Sequence, residues 1–262
     1  MYPRDSSIQL PQEDVMDNLI VDDSDVTYKK GNTSAWLNGL TIATAEFIGT
    51  ALLVFLTCMG CTKEMFGEII PVAQTSLASG LSVMTAIQIF GHISGAHVNP
   101  AITLCAVIMG EISLTSVPIY VSSQIAGSLT GYALLTAVTP DKYLDTAGHC
   151  ATAPHMEISL IQACVVEFLA TFIMALAICA SWDPKNSSKG DSVPIRIGLI
   201  VFLLNISAGA YTGASMNPAR SLGPIVWNHY RWYTHWVYWV GPVLGAVLAG
   251  HFYKKVFLKQ RN

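Results

Sequence analysis

Charged side chains are scarce in this sequence. Asp, Glu, Lys and Arg make up 12% of the 262 residues, whereas about a quarter of a soluble domain is charged. Hydrophobic residues make up 52%, and many lie in runs long enough to cross a bilayer. The low charge therefore excludes an ordinary soluble domain and predicts one bundle of membrane helices. The formal net charge is −3 and no basic stripe is present, so no nucleic-acid partner is expected.

Three other features are missing. The first 34 residues are polar and acidic and lack the apolar stretch of a cleaved signal peptide, so we expect a mobile cytoplasmic tail at 1–34. The six cysteines suggest no disulfide framework, and the single C-x-x-C, Cys58 and Cys61, has no second pair or nearby histidine to share a metal. No nucleophile–base pair or metal-ligand cluster indicates an enzyme, a metal or a cofactor.

The tripeptide Asn-Pro-Ala occurs twice. Asn caps the first free N–H groups of a helix, and Pro fits the first helical position because it has no N–H to satisfy. Each copy begins an apolar helix of about ten residues, whereas a spanning helix needs about 20. Two such half-helices at matching places indicate a membrane transport site. The motif residues are Asn99, Pro100, Ala101, Asn217, Pro218 and Ala219.

Six longer apolar segments surround the two motifs. They divide the chain into repeat one, 35–138, and repeat two, 157–257, which together form a channel domain at 35–257 before a cytoplasmic end at 258–262. Three spans per repeat is an odd number, so the second repeat enters the membrane upside down. The predicted fold is an all-α polytopic membrane protein with six transmembrane helices and two re-entrant half-helices in an inverted repeat. The expected spans are 37–59, 71–90, 117–138, 158–182, 195–210 and 233–253.

The distribution of basic residues predicts the orientation. With six spans, both termini and the 183–194 segment share one side of the membrane. Three basic residues fall on the other side, Lys63, Lys142 and Arg231. By the positive-inside rule, the richer side is cytoplasmic. That side carries Lys29, Lys30, Lys185, Lys189, Arg196, Lys254, Lys255, Lys259 and Arg261.

The inverted repeat brings the positive ends of both half-helices to one point near the membrane midplane, where their field repels cations. Each capping asparagine uses its side-chain oxygen on the backbone, so we expect the NH₂ groups of Asn99 and Asn217 to be free to donate to a passing oxygen. A water molecule held by both has its lone pairs engaged and cannot easily relay a proton.

The extended residues before each cap leave carbonyl groups without helical partners. Membranes permit this only where the backbone is buried or lines water, so we predict a ladder of carbonyl acceptors along the path. For the side chain of His97, a purely structural role is the favoured interpretation. The ladder residues are Gly95, Ala96, His97, Gly213, Ala214 and Ser215.

Three ionisable residues lie where a membrane makes charge costly. Glu46 and Glu167 occupy matching places in the first and fourth spans. A proton relay is one interpretation, but their paired occurrence favours acceptance of N–H groups from the nearby irregular loop. Arg220 directly follows the second motif, at the unfavourable end of the helix dipole, and has no obvious carboxylate partner. It is expected to face the pore, donate to permeants and exclude cations.

Together these features resemble the aquaporins, the major intrinsic proteins, across residues 36–257. The resemblance rests on both Asn-Pro-Ala motifs, the stretch Gly-His-Ile-Ser-Gly-Ala-His at 91–97, the two glutamates and Arg220. It implies six spans with two half-helices, a homotetramer, and one passive pore in each subunit.

The resemblance also assigns four positions to a selectivity filter. Water-selective members carry Phe twenty residues before the first motif asparagine, where this chain has Ser79, and His twelve before the second, where it has Asn205. Ala214 stands where Cys is common, and Arg220 alone matches. Loss of an aromatic ring and an imidazole should widen the constriction and admit larger polar solutes.

Other signature positions are unlike those of classical glycerol channels. Those carry Asp where this chain has Ser221, and Pro followed by an aliphatic residue where it has Tyr238 and Trp239. A water-type framework with a filter that lacks His is similar to the insect glycerol-permeable branch, the entomoglyceroporins.

The leading hypothesis is therefore a passive channel for glycerol and urea together with water, excluding protons and ions. A strictly water-selective channel is the first alternative, in which Asn205 and Arg220 keep the constriction small. A structural or junctional membrane protein with little conductance is an alternative from another class, and an ion-coupled transporter is disfavoured because no other paired buried charges appear. The expected partners are small polar solutes and the lipid bilayer, and the expected location is the plasma membrane.

Overall fold

The computed structural model describes residues 35–62, 72–144 and 148–258, with side chains from residue 38 onward. The tail expected at 1–34, and all but the first residue of the end expected at 258–262, lie outside the described residues. Within them the regular structure is entirely helical. The α-helices are α1 Ala35–Met59, α2 Val72–Ser94, α3 Pro100–Met109, α4 Val117–Val138, α5 Leu160–Trp182, α6 Val193–Thr212, α7 Pro218–Asn228 and α8 Val237–Tyr253.

This arrangement confirms the predicted fold class: six long helices and two short ones, α3 and α7, that follow the two motifs. Four helical stretches in the described part of the chain are long and apolar enough to cross a membrane, at Asn38–Met59, Val72–Ser94, Leu160–Trp182 and Pro184–Thr212. The other two long helices are either too short or not apolar enough to meet this standard. α8 has 17 residues, and α4 buries polar Gln124 and Ser128 within the protein.

The helices pair in the same way in both repeats. α1 packs along α4, and α5 packs along α8, while α2 of the first repeat packs along α6 of the second. Each half-helix also packs on a long helix of the opposite repeat: α3 on α8, and α7 on α4. The two repeats are therefore interlocked, and the short helices are held inside the bundle.

Close approach of the paired helices depends on glycine. A Cβ atom added at Gly131 in α4 would lie 2.2 Å from the carbonyl oxygen of Ala51 in α1, and one at Gly245 in α8 would lie 2.4 Å from that of Phe168 in α5. Both obstacles are backbone atoms of the neighbouring helix, so they cannot rotate away. One turn earlier in the same helices are Gly127 and Gly241, where an added Cβ atom would also meet a backbone carbonyl oxygen of the neighbouring helix.

We expect Gly131→Ala to destabilise the protein by about 1–3 kcal/mol, because the added methyl group must push α1 and α4 apart. Gly209→Ala is the matched control: Gly209 also lies in a long helix, α6, but an added Cβ meets nothing within 4 Å. Thermal unfolding of the purified protein in detergent compares them. Equal unfolding temperatures for the two variants would contradict the helix-contact argument.

One expectation about the cysteines is wrong. Cys58, near the end of α1, forms a disulfide with Cys150, which lies in the segment that joins the two repeats. The bonded residues are 92 positions apart, and no local spacing pairs them, because only the folded bundle brings them together. Cys61, the other member of the C-x-x-C, is outside this disulfide.

Candidate functional site

The two half-helices meet through their capping asparagines. The side-chain oxygen of Asn99 accepts from the backbone N–H of Ala101 at 2.9 Å, and that of Asn217 accepts from Ala219 at 3.0 Å. Pro100 and Pro218 occupy the first helical positions. The local sequence thus explains why each helix begins where it does.

The asparagine amides also bind across the repeats. The NH₂ group of Asn99 donates to the carbonyl of Met216, and that of Asn217 donates to the carbonyl of Val98, both at 2.8 Å. The expectation of entirely free NH₂ groups is therefore wrong, since one hydrogen of each is committed to the opposite loop. Each amide has a second hydrogen, and both asparagines line the cavity described below.

The loops before the two caps have the same backbone shape. Gly95, Ala96 and Val98 have φ values of +84°, +46° and +44°, and the matching residues of the second loop have similar values. Left-handed conformations are costly for residues with a Cβ atom, so the surrounding structure must hold them. They break the helical hydrogen-bond pattern, and residues of both loops line the cavity described below. The second set is Gly213 at +80°, Ala214 at +44° and Met216 at +52°.

Glu46 holds the first loop. Its fully buried carboxylate accepts from the backbone N–H groups of His97 at 2.9 Å and Val98 at 2.7 Å. The hydroxyl of Ser94 and the amide of Gln124 donate to the same carboxylate, at 2.7 and 2.8 Å. Four donors around one acid stabilise its charge inside the bundle.

Glu167 repeats the arrangement in the second loop. It is also fully buried and accepts from the backbone N–H groups of Ser215 at 2.9 Å and Met216 at 2.7 Å. The hydroxyl of Thr212 donates to it at 2.6 Å, as Ser94 does to Glu46. The paired glutamates therefore contact the loops in the same way.

His97 is buried against aromatic rings. Its ring stacks on that of Tyr120 with centroids 4.7 Å apart, and its Nδ1 lies 3.3 Å from the hydroxyl oxygen of Thr103. On another side, the indole of Trp182 meets the imidazole edge-on, with centroids 5.9 Å apart. Trp182 lines the cavity near the end of α5, and no local feature of the sequence pointed to it.

Two neighbouring cavities in the bundle share part of their lining. The inner cavity is lined by both loops and both capping asparagines, and the outer cavity by the segment around Cys150 and by the ends of α2 and α6. Ser79, Asn205 and Arg220 line both cavities. These three residues therefore mark the junction between the two cavities. Ala214, the fourth predicted filter residue, lines the inner cavity, beside this junction.

Arg220 is buried, with 8% of its surface exposed. Its Nη1 donates to the carbonyl oxygen of Cys150 at 2.8 Å, and its Nη2 lies 3.3 Å from the Sγ of the same residue. The sequence does not indicate this partner, because Cys150 lies 70 residues from Arg220 along the chain.

Asn205 is turned back along its own helix. Its side-chain nitrogen donates to the carbonyl of Val201, one turn earlier in α6, at 3.0 Å. This hydrogen bond draws the amide toward the helix surface. Ser79, which also lines the junction, has only a hydroxymethyl side chain. The side chains of Ser79 and Asn205 are therefore small or drawn back.

A helical membrane bundle with two half-helices meeting at a cavity defines a membrane channel. The chain belongs to the major intrinsic protein family, because residues 34–253 match the sequence model of that family. This assignment confirms the predicted resemblance, and the aquaporins of this family are channels and not enzymes.

Individual relatives agree with the family assignment. The chain is 41% identical to Aquaporin-4 of Bos taurus over 218 residues, which cover 82% of this chain and 66% of that relative's length, just under two thirds. It is 40% identical to Aquaporin-5 of Homo sapiens over 211 residues, which cover 80% of this chain and 78% of that protein. Its fold is similar to the X-ray structure of the aquaglyceroporin from Plasmodium falciparum, with a TM-score of 0.77, 26% identity, and coverage of 84% of this chain and 98% of the other.

Proposed function

We propose that this protein is a passive channel that conducts glycerol and urea together with water and excludes protons and ions. The observation that carries the proposal is the junction between the two cavities. A hydroxyl-bearing Ser79 and a drawn-back Asn205 leave Arg220 as the one large side chain among the three shared residues. A constriction with one bulky group admits solutes wider than water.

The walls of the inner cavity suit a solute with two chemical faces. Part of the lining is formed by the two loops, whose carbonyls are acceptors and whose asparagines are donors. Another part of the lining, which we call the apolar wall, consists of aliphatic side chains. Glycerol can place its hydroxyl groups on the polar side and its carbon chain on the apolar side, without the unsatisfied polar contacts that burial otherwise costs. The apolar wall includes Leu53, Val83, Ile87, Met174, Ile178, Ile197 and Val201.

The exclusion of cations and protons follows from the same geometry. The half-helix N-termini point their positive ends toward the asparagines, and Arg220 adds a fixed positive charge at the junction. The ladder carbonyls from Gly95 to His97 and from Gly213 to Ser215 serve as acceptors for the permeating solute. Glu46 and Glu167 serve as supports of those loops, because their oxygens are occupied by loop donors.

We also infer that the chain lies in the plasma membrane with both termini in the cytoplasm, as a homotetramer. The excess of basic residues on the terminal side supports this orientation. The disulfide adds independent support, since Cys58 and Cys150 then lie on the oxidising, extracellular side. The division into repeats at 35–138 and 157–257, and the similarity to the insect glycerol-permeable branch, remain predictions.

A strictly water-selective channel is the second candidate function. It is favoured by the relatives named Aquaporin-4 and Aquaporin-5, and by the amide of Asn205, which can donate to water. A structural or junctional membrane protein with little conductance is the third, and no feature of the described residues specifically favours it.

Proteoliposomes that contain the purified protein test the proposal. We expect an inward gradient of glycerol or urea to produce rapid reswelling after the initial shrinkage, well above that of protein-free vesicles, because the solute enters through the channel. Water permeability is measured in the same preparation with an impermeant osmolyte. Fast water flux without glycerol entry would establish the water-selective alternative, and the absence of both fluxes would favour the structural one.

A further inference from the structure

The guanidinium of Arg220 is held by one residue. Both hydrogen bonds that the structure gives this group within the described residues go to Cys150, one to its carbonyl oxygen at 2.8 Å and one to its Sγ at 3.3 Å. Because Arg220 lines the junction of the two cavities, the position of Cys150 decides where that positive charge lies.

Cys150 in turn is fixed by its covalent bond to Cys58. It has a left-handed backbone, with φ of +59°, in a segment without regular secondary structure. The disulfide ties this residue to the end of α1, a rigid helix of the bundle. The sulfur that Arg220 contacts is itself one of the two bonded atoms.

Other contacts hold the neighbouring residue. The carbonyl of His149 accepts from the hydroxyl of Tyr132 at 3.0 Å and from the amide of Asn228 at 3.1 Å. These contacts fix the approach of the segment to the bundle, but the carbonyl that Arg220 binds is the next one along the chain. They therefore provide a competing anchor, which an experiment must separate from the disulfide.

We propose that the Cys58–Cys150 disulfide positions Arg220 at the junction, so that the solute selectivity of the channel depends on this bond. Cys58 and Cys150 are positioning residues, because they affect the solute through the placement of Arg220. With the bond broken, Cys150 moves with its loop, the guanidinium loses its fixed partner, and the constriction widens. The inference rests on the proposed role of Arg220 in the filter.

The test measures the ratio of glycerol to water permeability in proteoliposomes, with and without tris(carboxyethyl)phosphine. Three proteins are compared: wild type, the double variant Cys58→Ser with Cys150→Ser, and Arg220→Ala. We expect reduction to raise the wild-type ratio by up to about tenfold, the equivalent of one lost charge-assisted contact. The double variant should have the raised ratio from the start and not respond to the reductant. The serine at 150 keeps the backbone carbonyl but removes the covalent tie.

Arg220→Ala separates positioning from a general structural role. If the disulfide acts through Arg220, reduction leaves the ratio of this variant unchanged. An equal rise in wild type and Arg220→Ala would overturn the proposal, because the bond would then act on the pore without the arginine. An unchanged wild-type ratio after complete reduction, verified by mass after thiol labelling, would also overturn it and assign the anchoring to the contacts of His149.

These measurements distinguish failure of the positioning role from failure of the proposed solute selectivity. If the oxidised wild type passes water but no glycerol or urea, the glycerol channel is wrong, yet the disulfide can still be tested in the same vesicles. Reduction must then admit urea or change water permeability in wild type and not in Arg220→Ala. No such change would overturn the positioning role as well.

Discussion

Replacing Asn205 with histidine should lower glycerol permeability by about tenfold, while water permeability falls much less, since pocket discrimination between solutes of different size reaches this magnitude. The imidazole is bulkier than the amide, which a hydrogen bond to Val201 draws toward its helix. The larger ring leaves less open space in the junction that residue 205 shares with Ser79 and Arg220. Stopped-flow reswelling and shrinkage of proteoliposomes measure the two permeabilities.

Asn205→Ala is the control at the same position. It removes the same hydrogen bond without adding a ring, so glycerol flux should be maintained or increased. A second step adds Ser79→Phe to Asn205→His, and the double variant should exclude glycerol and still conduct water. Leu81→Phe adds the same ring two residues away, where the side chain is exposed on the outside of the bundle, and should leave both fluxes unchanged. Equal losses of water and glycerol flux in Asn205→His would show a blocked pore in place of a narrowed filter.

Local sequence signals were sufficient to locate the half-helices. The expected helices began at the two motif asparagines, and the observed ones, Pro100–Met109 and Pro218–Asn228, begin one residue later. The bounds could be predicted because the capping asparagine and the proline after it act only on neighbouring residues. A short apolar run then follows each motif. The span Val117–Val138 was predicted with its observed bounds for a similar reason, since turn residues lie on both sides.

Contacts between distant parts of the chain could not be predicted in the same way. Asn99 binds a carbonyl 117 residues away, and Cys58 bonds to a cysteine 92 residues away. Neither pairing has a local signature, because the inverted packing of the two repeats creates it. Trp182 was missed for a related reason: its indole lines the cavity and touches His97 only because α5 ends beside the first loop.

The matched glutamates lie between these two cases. Their repetition at equal places in the two repeats indicated a shared role, but the sequence left open whether that role is proton transfer or loop support. The contacts now make the two hypotheses experimentally separable. Within the described residues, the hydrogen-bond partners of Glu46 and Glu167 are donors from the loops or from the helices beside them, which is the geometry of a support.

We expect Glu167→Leu to destabilise the channel by about 2–6 kcal/mol, because the N–H groups of Ser215 and Met216 lose their acceptor in a buried site, and each such loss costs about 1–3 kcal/mol. Glu167→Gln should cost roughly half as much, since its one oxygen can still accept while its NH₂ group faces the N–H of Met216. Thermal unfolding in detergent measures the stability, and solute flux should fall with it.

Glu157→Gln is the control, because Glu157 is exposed in the segment before α5 and its loss should change neither stability nor flux. The matching series at Glu46 should give the same order of stabilities, since Glu46 accepts from His97 and Val98 in the same arrangement. A proton relay makes the opposite prediction. Under that hypothesis Glu167→Gln folds as well as wild type, and only a proton leak, measured with a pH-sensitive dye inside the vesicles, changes. A Glu167→Gln variant as stable as wild type would therefore favour proton transfer over loop support.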